Sequence, residues 1–336
     1  MLRAPHIALL GATGALGEEI LARLAARGFP LGSLRVFASP ESEGAELWFR
    51  DEPVRVEALS SSALAQADLI LCAAPGVLGD LLPDISRSRA LLVDATGALE
   101  LDPAVPLQLG ESWVASAGGE GPPRRLAIAR GVVAGLGLVL GPLEREAGLE
   151  RVTVISLESA SGAGRAGVHE LTDQTAQLLN AMTGEAGEPS VFPRPLAFDC
   201  LPLVGEPLEG GESSEERRLG HVLRRLLARS TLPVEVTRVR VPIFGGSLAC
   251  VHVTLAAALS PEEARALWEK QPQLLLLSEV DEPTPRSCMG IDEVQVGRIR
   301  AGGSGERSLA FVLGLDDLGH SALSVVVAAE MLLRAR

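Results

Sequence analysis

Apolar positions in the first hundred residues come in short runs separated by stretches of helical spacing. Residues 7–10, Ile-Ala-Leu-Leu, make the first run, and 18–27 carry apolar side chains at helical intervals up to Gly28. Further runs lie at 34–38, closed by Ser39-Pro40, at 68–73, followed by Pro75-Gly76, and at 90–94. Each has the length of a strand buried on both faces. Strands alternating with helices predict an α/β domain of the Rossmann type, built on a doubly wound parallel sheet. The pattern changes after Gly110, and the glycine- and proline-rich stretch 118–123 is loop material. Residues 151–157, 234–242 and 248–255 then alternate with a period of two and are rich in β-branched side chains. Helical spacing at 168–182 and 261–271 separates them, 205–214 reads as an acidic surface loop, and 321–334 is a last helix apolar on one side. A second domain of α+β type follows from this half.

The string GATGALG, residues 11–17, stands between the first strand and the first helix. A strand, a tight glycine turn and a helix N-terminus direct backbone N–H groups and the helix dipole at a dinucleotide pyrophosphate. Gly11, Thr13, Gly14, Ala15, Leu16 and Gly17 are the candidate cofactor contacts. The same glycines also suit a turn kept only for helix packing, and the string alone leaves both readings open.

Composition narrows the partners. The chain has 336 residues, 47% hydrophobic and 22% charged, with a formal net charge of −13. Tyrosine is absent and Lys270 is the single lysine. Nucleic acid and anionic membrane surfaces are therefore not expected partners. The apolar run 131–143 is shorter than the ~18–20 residues of a membrane span. The N-terminus runs directly into the first strand, so a cytoplasmic protein without a signal peptide is expected. Cys72, Cys200, Cys250 and Cys288 show no CxxC and no histidine at metal spacing. They read as free buried thiols in a reducing compartment, with no metal site.

Eight segments together resemble the aspartate-semialdehyde dehydrogenase family, and within it the Usg-type paralogue. They are GATGALG at 11–17, FASPESEG at 37–44, VDATGALELDPAVPL at 93–107, SASGAGRAGVHEL at 159–171, FPRPLAFDCLP at 192–202, RVRVPIFGG at 238–246, VGRIR at 296–300 and DDLGHSALSVVVAAE at 316–330. The resemblance implies a dinucleotide-binding domain of residues 1–128 and 317–336 and a substrate and dimerisation domain of 129–316. It also implies a homodimer, an NAD(P) cofactor and a place in amino-acid biosynthesis. The family reduces an acyl phosphate through a cysteine thioester, with a histidine as acid/base and a glutamine orienting the intermediate. The cysteine's place is Gly131, the glutamine's Glu158 and the histidine's Ser247, so no catalytic residue is expected. Arg240 matches the substrate-carboxylate arginine, although it also suits a structural ion pair. Glu215 and Arg218 match two further pocket residues, and Glu100 replaces a phosphate-binding arginine. Ser39, Ser161 and Gly162 fall at cofactor positions and Asp317 at the nicotinamide end. Glu41 stands where a basic residue would meet the 2′-phosphate of NADP, which favours NAD.

These readings predict a non-catalytic protein that keeps the fold, the dimer and weak NAD(P) binding. The alternatives are an active NAD(P)-dependent semialdehyde dehydrogenase with a displaced nucleophile, and an interaction protein with a decayed cleft. Cys250 and Ser247 would point to opposite faces of one strand. Cys72 reads as core, His252 as a half-buried packing residue, and His169 and His221 as solvated. His320 is a minor candidate for a phosphate contact.

Overall fold

The computed structural model describes residues 4–114, 122–180, 188–303 and 305–335. The loop expected at 118–121 and the end of the helix expected at 181–182 lie outside the described residues. The chain divides into two compact units, Met1–Arg130 with Ser321–Arg336, and Gly131–His320.

Among the described residues the first unit has nine strands. In chain order they are β1 (His6–Leu10), β2 (Ser33–Ala38), β3 (Glu46–Phe49), β4 (Glu52–Ala58), β5 (Leu69–Cys72), β6 (Leu91–Asp94), β7 (Leu107–Leu109), β8 (Ser112–Val114) and β9 (Arg125–Ile128). Their spatial order is β3-β4-β2-β1-β5-β6-β9-β7-β8. All neighbours are parallel except the β3–β4 and β7–β8 pairs. Helix α1 (Ala15–Ala26) follows β1, and α2 (Leu78–Arg87) connects β5 to β6. Ile20 and Leu24 of α1 pack with Ile7, Leu9, Leu69, Leu71 and Val93 of the sheet and with Val325 and Ala329 of the chain's last helix. Burial of such side chains contributes about 1.5–3 kcal/mol each.

The second unit contains a mixed sheet of β10 (Leu149–Glu158), β11 (Val234–Arg240), β12 (Ser247–Leu255), β13 (Leu274–Leu276), β14 (Val294–Ala301) and β15 (Ser308–Leu315), in the order β11-β10-β12-β15-β14-β13. Its helices are α3 (Val132–Ala147), α4 (Gly164–Asn180), α5 (Ser214–Leu226), α6 (Pro261–Trp268) and the single turn α7 (Pro285–Cys288). The apolar run at 131–143 is α3, buried along most of its length. Trp268 at the end of α6 is fully buried, donates from Nε1 to the Val139 carbonyl at 2.8 Å and meets Phe311 edge-on at 5.0 Å. The last helix, α8 (Asp317–Arg334), begins in this unit and enters the first at Ser321.

Several boundaries differ from the sequence reading. Helix α1 starts at Ala15, because Gly14 caps it with extended backbone, and not at 18. Helix α8 starts four residues before 321, because the Asp316 carboxylate accepts from the Gly319 N–H at 3.0 Å. Helix α6 stops at Trp268, three residues short. Ser213, at the end of the expected surface loop, is buried and forms a reciprocal capping box with Glu216 at the head of α5.

Two readings of single side chains are corrected. His252 is exposed on β12 and not half-buried, since alternation puts it on the outer face. Among the cysteines, Cys72 and Cys288 are buried, Cys250 is intermediate and Cys200 is exposed, so the expectation of four buried thiols fails at Cys200. Burial pushes the Cys72 thiol up to about 12 and that of Cys288 up to about 11. Titration of the folded protein with a thiol reagent is expected to modify Cys200 first and Cys72 and Cys288 only on unfolding. Peptide mapping of the labelled sites checks this.

Candidate functional site

The first unit supplies the glycine turn. Strand β1 delivers the chain to Gly11, whose φ of +82° favours glycine. The N–H groups of Gly11 and Ala12 donate to the Phe37 carbonyl at 2.8 and 3.0 Å, tying the turn to the end of β2. A Cβ on Gly11 would lie 2.8 Å from the Ala74 backbone nitrogen, and one on Gly17 would strike the Gly11 carbonyl. Packing alone therefore demands Gly11 and Gly17. Gly14 differs: it is exposed at the head of α1, and a Cβ there would touch only the Gly11 carbonyl at 3.3 Å. The N–H groups of Ala15, Leu16 and Gly17 open the helix, where no intrahelical acceptor exists. Thr13 lies in the turn, and Ser39 caps the short 3-10 turn Pro40–Ser42 at the end of β2. Glu41 is exposed in that turn, and a hydrogen bond from Ser39 and its own backbone N–H hold its carboxyl below the usual range. Turn and carboxylate thus share the C-terminal edge of neighbouring parallel strands, where open α/β sheets take their ligands.

The second unit gathers the remaining positions around the end of β10. Glu158 closes that strand and sits in register with Ser247 on β12 and with Arg240 on β11. Its carboxylate accepts from Ser156 Oγ at 3.0 Å and is bound by the Arg238 guanidinium. Arg238 also holds Glu215 of α5, with Nη1 2.7 Å from Oε2, and Arg218 reaches the same carboxylate at 3.3 Å. Arg240 is buried, donates from Nη1 to the Ser159 carbonyl and lies 4.0 Å from Glu158 Oε2. Burial holds its guanidinium pKa below the ordinary arginine value. Gly162 has no side chain because a Cβ there would strike the Arg240 guanidinium, and Ser161 exchanges a 2.8 Å hydrogen bond with Ser159. Gly162 therefore packs against the arginine, while Ser161 braces the turn through Ser159 and the Phe244 carbonyl.

Gly131 is the residue before α3 and has φ +59° and ψ −146°, at the border of a region occupied almost only by glycine. A Cβ built there would sit 3.4 Å from Asp317 Oδ1. Asp317 begins α8, is partly buried and accepts a hydrogen bond from the Ser247 hydroxyl. Burial pushes its carboxyl up to about 7, with the neighbouring charges of Glu158 and Asp316 acting in the same direction. His320, one turn along α8, is buried, and desolvation brings it down to about 4, so it is a neutral imidazole near pH 7. It offers no positive charge to a phosphate there.

Glu100 lies in the first unit, fully buried, with Arg130 Nε 3.5 Å from its carboxylate. A Cβ on Gly97 would strike the Arg130 guanidinium, so that glycine makes room for the pair. The Arg130 cation thus offsets the charge that Glu100 brings to the place of a phosphate-binding arginine.

The structure gathers Glu158, Ser247, Arg240, Glu215 and Arg218 around the end of β10, and with them Arg238, to which the sequence reading assigned no role. The signal was available. Arg238 is two residues before Arg240 on a strand, so both side chains face the same side. Among the described residues, no group of three or more His, Cys, Asp or Glu gathers as metal ligands, and no helix is long and apolar enough to cross a membrane.

Residues 6–115 match the NAD binding domain of semialdehyde dehydrogenases, and 140–319 match their dimerisation domain. The chain is 32% identical to the aspartate-semialdehyde dehydrogenase of Mycolicibacterium smegmatis, over 97% of this chain and 98% of that one. It is 33% identical to the USG-1 protein homolog of Azotobacter vinelandii over 99% of each. The crystal structure of aspartate semialdehyde dehydrogenase II from Vibrio cholerae, complexed with ASA, superposes with a TM-score of 0.90 at 29% identity over 99% of both chains.

Proposed function

The chain belongs to the aspartate-semialdehyde dehydrogenase family, and from that premise we propose that it is a non-catalytic member, a dimer that binds a nicotinamide nucleotide without acyl-phosphate chemistry. The observation that carries this reading is the backbone at Gly131. The position that corresponds to the nucleophile lacks a side chain, and its φ and ψ also disfavour any L-residue that could supply one. The other two positions are engaged as well. The Ser247 hydroxyl is spent on Asp317, and a serine does not exchange protons near neutrality. Glu158 is held by Arg238. Loss of the nucleophile removes the covalent route and leaves only binding and orientation.

The glycine turn fits a nucleotide. Gly14 is open to an approaching pyrophosphate, and the first N–H groups of α1 provide donors for it. Gly11, Thr13, Gly14, Ala15, Leu16 and Gly17 would hold the phosphates, with Ser39 and Glu41 at the ribose. The group itself supplies hydride exchange when bound. The Glu41 carboxylate suits a free 2′-hydroxyl and opposes a 2′-phosphate, so NAD is favoured over NADP. Arg240, Glu215 and Arg218 remain the candidate contacts for a small ligand. The reading extends to a cytoplasmic homodimer, supported by the match to a dimerisation domain.

A displaced nucleophile has little support. Cys72 and Cys288 are buried, with thiols pushed far above neutrality, and Cys250 lies on the face of β12 opposite Ser247. Purified protein given aspartate semialdehyde, phosphate and either nucleotide is expected to show no turnover. Calorimetry is expected to give NAD binding equal to or tighter than NADP, with Glu41→Arg reversing the order. Robust turnover lost on mutating Cys250 or Cys72 would overturn the first expectation, and NADP binding tenfold tighter than NAD the second.

A further inference from the structure

Two arginines of β11, Arg238 and Arg240, stand on the same side of the strand, and their side chains are only 12% and 10% exposed. They are not equally satisfied. Arg238 is engaged from both sides, by Glu158 through Nε and Nη2 and by Glu215 through Nη1. Among the described residues, Arg240 makes one side-chain hydrogen bond, to the Ser159 carbonyl, and its approach to Glu158 at 4.0 Å is an ion pair without hydrogen-bond geometry. A guanidinium carries five N–H donors in a fork suited to a carboxylate. Arg240 therefore retains a carboxylate-binding edge in a largely water-excluded place.

An outside carboxylate meets opposition there. Glu158, Glu215 and Asp317 all act electrostatically on Arg240, and Arg238 adds a second positive charge beside it. At low exposure each of these charges counts for far more than at the surface. We propose that Glu158 serves as an internal ligand of the Arg238–Arg240 pair, so that the second unit carries a latent site for a small carboxylate compound, closed by this chain's own side chain. The proposal deepens the reading of the same cluster given above. It is tested by binding and not by turnover, so either can fail without the other. A glutamine at 158 keeps the size and hydrogen-bonding reach of the side chain and removes the competing charge. It leaves two buried guanidinium groups short of one counter-charge, which an added carboxylate restores.

The probe is succinate, with uncharged succinamide as its control, measured by calorimetry on the purified full-length protein. The unaltered protein is expected to show no binding at millimolar succinate. Glu158→Gln is expected to bind it at least tenfold more tightly than the unaltered protein, and not to bind succinamide. Glu158→Asp, which withdraws the carboxylate by one methylene, is expected to fall between the two and serves if the glutamine variant does not fold. Adding Arg240→Met to Glu158→Gln is expected to abolish the gain. Equal succinate binding by the unaltered protein and both Glu158 variants would overturn the proposal, as would a gain that survives Arg240→Met. Thermal unfolding gives a second readout, with succinate expected to raise the midpoint of Glu158→Gln and leave that of the unaltered protein unchanged.

Discussion

Gly131→Cys is expected to lower stability by about 1–3 kcal/mol, the strain of an L-residue in a glycine conformation, and to produce no aspartate-semialdehyde dehydrogenase activity. Space is not the obstacle, since the new Cβ would meet Asp317 Oδ1 at an ordinary 3.4 Å. The backbone is, with φ at +59° and ψ at −146°. The thiol itself would receive opposing influences. The N-terminus of α3 favours a thiolate, while the partly buried Asp317 carboxyl beside it, once ionised above about pH 7, disfavours one. The acid/base place still holds Ser247, fixed on Asp317. Denaturant unfolding of Gly131→Cys beside Gly131→Ala checks the strain, which both variants should share. Iodoacetamide labelling against pH reads the thiol. Turnover by Gly131→Cys alone at the level of a catalytic family member would overturn the assignment of this position.

Asp317→Asn is expected to stabilise the protein at pH 8 and to have little effect below about pH 4. The folded protein holds the Asp317 proton up to about pH 7, whereas the ordinary value is 3.8, so the folded state binds a proton that the unfolded chain releases. The resulting stabilisation is complete below about pH 4, declines as pH rises towards the folded pKa and is absent above it. Three pKa units correspond to a ceiling of about 4 kcal/mol, and relaxation and water entry bring a realistic figure to about 2 kcal/mol. An asparagine is neutral throughout and can still accept the Ser247 hydroxyl proton. The variant's melting temperature at pH 8 should exceed that of the parent by about 4–8 °C, the gap narrowing as pH falls and closing below about pH 4. A difference that does not change with pH would show that the carboxyl is ionised in both states.

The parallel core of the first unit was legible because its strands are short apolar runs buried on both faces, as at Leu69–Cys72 and Leu91–Asp94. The β3–β4 hairpin was not. Its two-residue turn is Arg50-Asp51, with φ of +50° and +65°, where hairpin rules look for Asn-Gly or Asp-Gly. Strand β15 was missed for a different reason. All eight of its residues are buried, and periodicity alone does not tell a run of that length from a buried helix. In the site, spacing along the chain located Glu158, Arg240 and Ser247, and strand register then brought them together. The engagement of Ser247 with Asp317 was not readable. It joins a strand to a helix 70 residues later, and nothing local in either segment signals the other.

The buried pair of Glu100 and Arg130 restricts how this chain could ever acquire a phosphate-binding arginine at position 100. Glu100→Arg alone would bring two guanidinium groups together beside a fully buried position. Changing Arg130 first would take a cation away from the buried Glu100 carboxylate instead. Each single step passes through a less stable protein, and the double exchange keeps opposite charges side by side. The two positions are therefore epistatic. Gradual mutation meets a valley in either order, and the present residues are entrenched by each other whatever advantage the exchanged pair would bring.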